Sequence, residues 1–391
     1  MTTIVALGCG LVGEFVVQRL AEDGHSVVAV DLHLPVSIQS STKIESIEIE
    51  AEEYIKSLNG DEIIINMLPG RIGHGIRESL VTGGHNIVDL AFTAEDPQQF
   101  DELAKEHGST MIWDIGIAPG LSNMLLAHAQ RELGFLEKAT IHVGGNPTEP
   151  DNEWSYMAPF SPSDVIEEYT RPARILRDQT VVEVPALTER HQIDVEGTDG
   201  MEAFLTDGLR SVLDTINAKD MAEYTVRWPQ HIDRWIAEGH STPEEELLKA
   251  WKYDSQREEF TWMNVSCENK TDSKQWIVSD YGKDGNGSMA RTTGLVTYAL
   301  ASRFATLGTE ACGLEPGVHP PENVNQETLD AVLNIFEAHD VKVTHTIGSS
   351  QRGQGIPGIN SPRRKPQFKH IVETMSSKSD MVTHAHGPIL F

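Results

Sequence analysis

The chain opens on a short apolar run, Thr3 to Leu7, and after a glycine-rich turn repeats apolar residues at helical spacing, Val12, Phe15, Val16 and Leu20, as far as Asp23. Apolar positions three and four apart share one face of a helix, whereas a short continuous apolar run reads as a strand buried on both faces. Gly24 ends that helix, and Ser26 to Val30 is a second strand closing in Asp31, which completes a strand–helix–strand unit. Ile63 to Leu68, Asn86 to Ala91 and Thr110 to Asp114 supply further buried strands, with helical patterns near 72–82 and 96–107 between them. Strands alternating with helices predict an α/β fold with a Rossmann-type, doubly wound parallel sheet of roughly five or six strands over residues 1–120.

The pattern changes after Pro119-Gly120. A helix over about 121–133 precedes β-rich segments, Ala139 to Val143, Val181 to Val184 and His191 to Val195, and then a helical stretch at 208–217. Phe260 to Cys267 and Gln275 to Asp280, separated by polar residues, read as antiparallel neighbours. Residues 121–288 therefore predict a second, α+β domain. Helical periodicity returns over Met289 to Leu307 and over 326–338, where Leu329, Val332, Leu333 and Phe336 recur on one face. These C-terminal helices, within about 289–345, are expected to pack back on the first domain. From 346 to 391 Gly, Pro, Ser and basic residues dominate without a sustained apolar period, the composition of a disordered tail.

A length of 391 residues suits two domains of ordinary size. The net charge of −28 argues against nucleic acid or an anionic membrane as partner, because surfaces that bind phosphates need Lys and Arg in excess. No apolar run approaches the roughly 20 residues that cross a bilayer. The first residues run straight into a strand, which leaves no room for a secretory signal and points to the cytoplasm. Cys9, Cys267 and Cys312 lack the paired spacing of a zinc site, and the sixteen histidines are scattered, so core thiols and no metal site are expected.

The turn after the first strand carries the first chemical signal. Gly8-Cys9-Gly10-Leu11-Val12-Gly13 has the G-x-G-x-x-G spacing and lies between a strand and the helix it opens. The glycines permit a tight turn, close approach of a pyrophosphate, and close packing of helix on strand. The free amides and dipole of the helix start then favour the phosphates. Asp31, ending the second strand, is placed to accept from adenosine ribose hydroxyls and to repel a 2′-phosphate, and neither Leu32 nor His33 offers a compensating Arg or Lys. The cofactor expected is NAD rather than NADP. Leu68 and Pro69, at the end of the strand beginning at Ile63, are assigned to the same site.

Beyond the glycine motif, Asp114-Ile115-Gly116-Ile117-Ala118-Pro119-Gly120-Leu121-Ser122-Asn123 resembles the saccharopine dehydrogenase superfamily, and most of all its lysine 6-dehydrogenase branch. Val88 to Phe92, Val143 to Pro147, Glu167 to Arg174, Ala203 to Gly208 and Thr225 to Pro229 resemble that branch in the same order, so the likeness covers about residues 1–345. The resemblance implies a Rossmann domain, a second domain with substrate and dimer contacts, a homodimer, and oxidation at a carbon–nitrogen bond of a small amino acid. By the same resemblance Arg171 takes the place of an Arg that holds a substrate carboxylate, with Arg227 a second candidate, and Phe92 falls at the substrate site. A guanidinium fork matches a planar carboxylate bidentately.

Against the family's saccharopine reductases, this chain has Ala118 in place of Asp, Ala91-Phe92 in place of Ser-Tyr, and Thr206-Asp207-Gly208 in place of Asn-Arg-Asp. The contacts for a second amino-acid arm are missing, and an acid at Asp207 is expected to repel the glutamate carboxylates of saccharopine. Lysine fits better, giving NAD-dependent L-lysine 6-dehydrogenase as the leading expectation. Saccharopine dehydrogenase and a non-catalytic NAD-binding sensor remain open beside it. Asp89 and Asp114, at the carboxyl ends of predicted parallel strands, are placed to bind or deprotonate a substrate amine. Tyr156 is a further acid/base candidate.

Overall fold

Five strands that the apolar runs predict, β1 (Thr3–Leu7), β2 (Ser26–Asp31), β4 (Ile63–Asn66), β5 (Asn86–Asp89) and β6 (Thr110–Ile112), are joined by two that they do not. One is β3 (Ile44–Glu48); the other is a three-residue strand, Gly317–His319, from far along the chain. In the computed structural model, which describes residues 2–159 and 162–349, they form a parallel sheet of seven strands, correcting the expected five or six. The helices α1 (Leu11–Glu22), α2 (Val36–Gln39), α3 (Ala51–Ile55), α4 (Gly70–Thr82) and α5 (Asp101–His107) lie between them in the chain. The order, Gly317–His319, β6, β5, β4, β1, β2, β3, reverses direction beside β1, and the glycine turn sits at that switch point. β3 escapes periodicity because Glu45, Ser46 and Glu48 are exposed on this edge strand and interrupt any apolar run.

The second layer is a mixed sheet of nine strands. It contains β7 (Leu136–Pro147), β8 (Ala173–Arg177), β9 (Thr180–Val184), β10 (His191–Ile193), β11 (Met201–Leu205), β12 (Ala218–Arg227), β13 (Glu259–Glu268) and β14 (Asp272–Tyr281). With β15 taken as Gly317–His319, its last strand is β16 (Lys342–Ser349). The main path runs β10, β11, β12, β7, β13, β14, β16, with β8 and β9 added beside β12. β13 and β14 pair antiparallel, Phe260 opposite Tyr281 through Glu268 opposite Ser273, as the sequence predicts. Strand β16 corrects two expectations: the segment after residue 341 is a strand rather than a helix, and residues 346–349 belong to the sheet. The remainder of the tail lies outside the described residues.

The helices of this half are α6 (Leu121–Leu133), α7 (Pro162–Thr170), α8 (Val212–Thr215), α9 (Pro229–Glu238), α10 (Glu244–Ala250), α11 (Ser288–Leu307) and α12 (Gln326–Ala338). The helix expected over 208–217 shrinks to the single turn α8, because Arg210 sits at φ 56, a left-handed conformation that no helix continues through. α11 packs on α1: a side chain at Gly294 would collide with Phe15, and the Tyr298 hydroxyl donates to Asp23. α6 and α11 are buried on nearly all sides, so one apolar cluster runs from Ile4 and Val16 through Leu125 and Leu300 to Ile141 and Val278. The two sheets thus share a core. Among the described residues no helix is long and apolar enough to cross a membrane.

Candidate functional site

A single cavity of about 880 Å³ begins at the glycine turn and ends against the second sheet. At its first end lie Gly8, Gly10, Leu11, Val12, Gly13 and Asp31. A Cβ on Gly13 would stand 2.2 Å from the Gly8 carbonyl oxygen, so only glycine lets α1 start against the turn, whereas a Cβ on Gly10 would meet nothing within 4 Å. The backbone at Gly10 therefore faces open space, with the unpartnered amides of the first helical turn behind it. Asp31 shapes the turn as well as lining it, since its Oδ2 accepts from the Cys9 amide at 2.6 Å and its Oδ1 from the His33 amide at 3.1 Å. Leu68 and Pro69 form the opposite wall, where β4 passes into α4. Glu50 and Glu52 also line this end, and no Lys or Arg among the described residues does.

The other end holds the polar groups of the second sheet. Along β12 the residues alternate: Ala222, Tyr224 and Val226 enter an apolar cluster, while Glu223, Thr225 and Arg227 face the cavity. A strand sends alternate side chains to opposite faces, so three polar residues at i, i+2 and i+4 mark a wet face. That signal is present in the sequence at Glu223, which the family motifs do not single out. Asp114, Asp164, Glu168 and Asp207 line the same region, as do Phe92 and Met289.

The predicted substrate residues fall in different places. Asp114 lines the cavity, but its carboxylate is held by Arg210, with Nε at 2.6 Å and Nη2 at 3.3 Å. Arg210 also donates to the Thr93 carbonyl and lies over the Phe92 ring, 4.8 Å from its centroid. Asp89 does not reach the cavity. It is fully buried and accepts from Arg77 Nε at 2.9 Å, Arg77 Nη2 at 3.1 Å, Asn66 Nδ2 at 2.9 Å and the Ala91 amide at 2.8 Å, which fixes α4 to the end of β5. Its expected role on a substrate amine gives way to this structural one.

Tyr156 is likewise buried away from the cavity, under the Arg227 guanidinium at 4.7 Å from the ring centroid, and burial pushes its hydroxyl up to about 12. At neutral pH such a hydroxyl stays protonated. Arg171 stands beside Phe92 at 5.2 Å and pairs with Asp207 at 3.1 Å, outside the cavity lining. Asp207 is further clamped by Arg174, whose Nε and Nη2 each approach within 2.9 Å. With two arginines on it, Asp207 does not supply the repulsion of a second carboxylate arm that the sequence suggested.

Arg227 is the one cation lining the cavity among the described residues, and it is buried. Its Nε donates to the Tyr169 hydroxyl at 2.9 Å and its Nη1 to the Val226 carbonyl at 3.0 Å, while Nη2 lies 3.9 Å from Glu168. Tyr169 in turn contacts His231 Nε2 at 3.1 Å, and burial beside Arg227 drives that imidazole down to about 3, so it is neutral and accepts. Two of the five guanidinium hydrogens are committed, which leaves donors on both terminal nitrogens for an anion. Glu223 has no ion-pair partner among the described residues. Burial raises its carboxyl to about 8, against the pull of a Thr206 hydrogen bond, with Glu168 and Asp207 raising it further and Arg227 lowering it.

The model for the saccharopine dehydrogenase C-terminal domain family matches residues 116–341. Alpha-aminoadipic semialdehyde synthase of Mus musculus is 24% identical over 194 residues, 46% of this chain and 21% of that protein. The Arabidopsis thaliana protein of the same name is 20% identical over 174 residues, 41% of this chain and 16% of that one. The chain thus matches about a fifth of the length of these curated relatives. Saccharopine dehydrogenase (L-Glu forming) of Saccharomyces cerevisiae superposes with a TM-score of 0.69 at 15% identity, covering 88% of this chain and all of that one. Homospermidine synthase of Legionella pneumophila, solved with NAD, superposes with a TM-score of 0.61 at 13% identity over 92% of this chain and 95% of that one. These superpositions establish a shared fold, and with more than half its length matched by the family model, the chain belongs to the saccharopine dehydrogenase family of oxidoreductases.

Proposed function

We propose that the chain is an NAD-dependent amino-acid dehydrogenase that oxidises L-lysine at its ε-carbon, releasing ammonia and an aldehyde that cyclises. The observation that carries this reading is the charge pattern along the cavity. Its substrate end presents five carboxyls, Asp114, Asp164, Glu168, Asp207 and Glu223, and the single cation Arg227. Lysine brings one carboxylate and two ammonium groups; saccharopine brings a further carboxylate arm. The one lining cation matches a single substrate carboxylate, and with Asp114 and Asp207 paired to arginines from outside the lining, Glu168 and Glu223 are left to face an ammonium. The lining thus suits the first and offers no cation for the added arm of the second.

NAD as cofactor is supported by the glycine end. A 2′-phosphate there would meet Asp31, Glu50 and Glu52 with no lining Lys or Arg to offset them. Gly10 and the first turn of α1 would hold the pyrophosphate, and Asp31 the ribose hydroxyls. A bound nicotinamide supplies the two-electron acceptor for oxidation of a carbon bearing an amine. The protein supplies the rest. Arg227 orients the substrate through its carboxylate, Phe92 and Met289 exclude water beside it, and a cavity carboxyl takes the amine proton.

The test is direct: protein with NAD and, separately, lysine or saccharopine, followed by absorbance of the reduced cofactor. Turnover with lysine is expected. Turnover with saccharopine alone moves the assignment to saccharopine dehydrogenase, and reduction with neither, nor with other diamino acids, refutes an amine-oxidising role.

A further inference from the structure

Four cavity side chains form a continuous file. Thr206 Oγ1 lies 2.5 Å from Glu223 Oε2 and 2.9 Å from Thr225 Oγ1, and Thr225 Oγ1 is hydrogen-bonded to Glu168 Oε1. All four residues line the cavity. The file has three oxygen–oxygen contacts and therefore room for three hydrogens. A threonine hydroxyl carries one hydrogen and an ionised carboxylate none, so the two threonines supply two. The third belongs to a carboxyl. With the carboxyl hydrogen on Glu223, both hydroxyls point towards Glu168; with it on Glu168, both point back. The two arrangements differ by the shift of three hydrogens along existing bonds, and no heavy atom has to move.

The ends of the file are unequal. Glu223 is 4% exposed and rests against Gly208, where a Cβ would stand 2.5 Å from its carboxyl carbon, so glycine alone leaves room for it. The Glu168 side chain is 19% exposed and has Arg227 Nη2 at 3.9 Å. The charged groups facing the file are Arg227 from β12 itself, Asp207 from the turn after β11, paired with Arg171 and Arg174, and Asp164, one turn before Glu168 on α7. The inner end is thus built to hold a proton and the outer end to lose one.

We propose that Glu223, Thr206, Thr225 and Glu168 are a proton relay that takes the proton from the substrate nitrogen at Glu223 and releases one to solvent at Glu168. This rests on the amine-oxidising reading above. Binding of an ammonium beside Glu223 favours the arrangement with the carboxyl hydrogen on Glu168. Glu168 gives that proton to water, the ammonium N–H bond breaks towards Glu223, and the nitrogen keeps the electron pair. Rotation of the carboxyl hydrogen and of the two hydroxyls about their own C–O bonds, so that all three point back towards Glu168, then resets the file without breaking a further covalent bond. One proton passes from substrate to solvent, and the relay ends as it began.

The experiment combines a readout on the resting protein with one on turnover. Infrared difference spectra of the full chain at pH 7 should show a protonated carboxyl that disappears in Glu223→Gln and persists, shifted in frequency, in Glu168→Gln. Thr206→Val, which keeps the shape and removes the hydroxyl, should lower kcat with lysine by roughly 100-fold at little change in KM and alter the solvent deuterium isotope effect, while Thr206→Ser restores both. Absence of the carboxyl band in a protein that oxidises lysine overturns the relay and leaves the function standing. So does a band accompanied by a fully active Thr206→Val. A protein that shows the band and oxidises no amine overturns the function, and the relay's task with it.

Discussion

Replacing Glu223 by Gln should change how stability depends on pH, in a direction and by an amount that follow from burial. In the folded chain this carboxyl is raised to about 8 from its ordinary 4.5, burial being the largest cause. Between those values the unfolded chain has released the proton and the folded chain still holds it. Stability therefore falls as pH rises through that window, by roughly 1.4 kcal/mol per pH unit, or about 5 kcal/mol in all. It is level below the window, where both states are protonated, and level again above it, where both are ionised. The amide of Glu223→Gln cannot ionise and keeps a polar group against Thr206, so the variant lacks this dependence. The other raised carboxyls, Glu259, Asp280 and Glu322, are present in both proteins and cancel in the difference. Urea denaturation at pH 5, 6.5 and 8, followed by the fluorescence of the seven tryptophans, measures that difference. The variant should match the parent to within about 1 kcal/mol at pH 5 and exceed it by several kcal/mol at pH 8. A difference constant across the three conditions refutes a protonated Glu223 in the folded state.

Three further outcomes are expected. Asp31→Ala should narrow the preference for NAD over NADP, read as the ratio of kcat/KM for the two cofactors, and an unchanged ratio removes the ribose role. Arg227→Lys should raise KM for the amino acid by one to three orders of magnitude, as for the loss of a charged hydrogen bond of about 1.5–4 kcal/mol, while the Kd for NAD stays put; loss of NAD binding instead marks Arg227 as structural. Asp89→Asn leaves Arg77 buried and uncompensated and should cost about 3–5 kcal/mol in denaturation, most of it recovered by adding Arg77→Met. Additive losses in that pair would show that the two side chains are not coupled.

What the sequence disclosed about the fold was mostly local. The first strand, its glycine turn, α1 and β2 were legible because turn chemistry and helical spacing act over a few residues, and Gly13 tolerates no side chain whatever the rest of the chain does. Gly317–His319 was not legible, since three residues carry no period and their partner β6 lies some two hundred positions earlier. The same limit separates Asp89 from Asp114. Asp89 closes β5 and Asp114 stands two residues past β6, but only the fold brings Arg77 of α4 onto the first and Arg210 of the second sheet's half onto the other. The motif resemblance singles out Arg171 before Arg227, but the β12 pleat, not the motif, decides that Arg227 is the one facing the cavity. Glu223 was readable from the alternation along that strand, though its partners Thr206 and Glu168 come from other elements.

Asp31 has a consequence for anyone wishing to retool this chain for another cofactor. On the NAD assignment proposed for this site, the carboxylate that would discriminate between ribose and phosphorylated ribose is also the one that pins the Cys9 amide and so holds the turn in shape. Selectivity and scaffold are vested in one side chain, and removing it would loosen the seat for either dinucleotide. A useful redesign keeps an oxygen at that position, as in Asp31→Asn, and adds the positive charge from a neighbour such as the exposed Leu32. Coupling of this kind makes a change of cofactor a two-step path whose first step alone is a loss, which favours retention of the original preference.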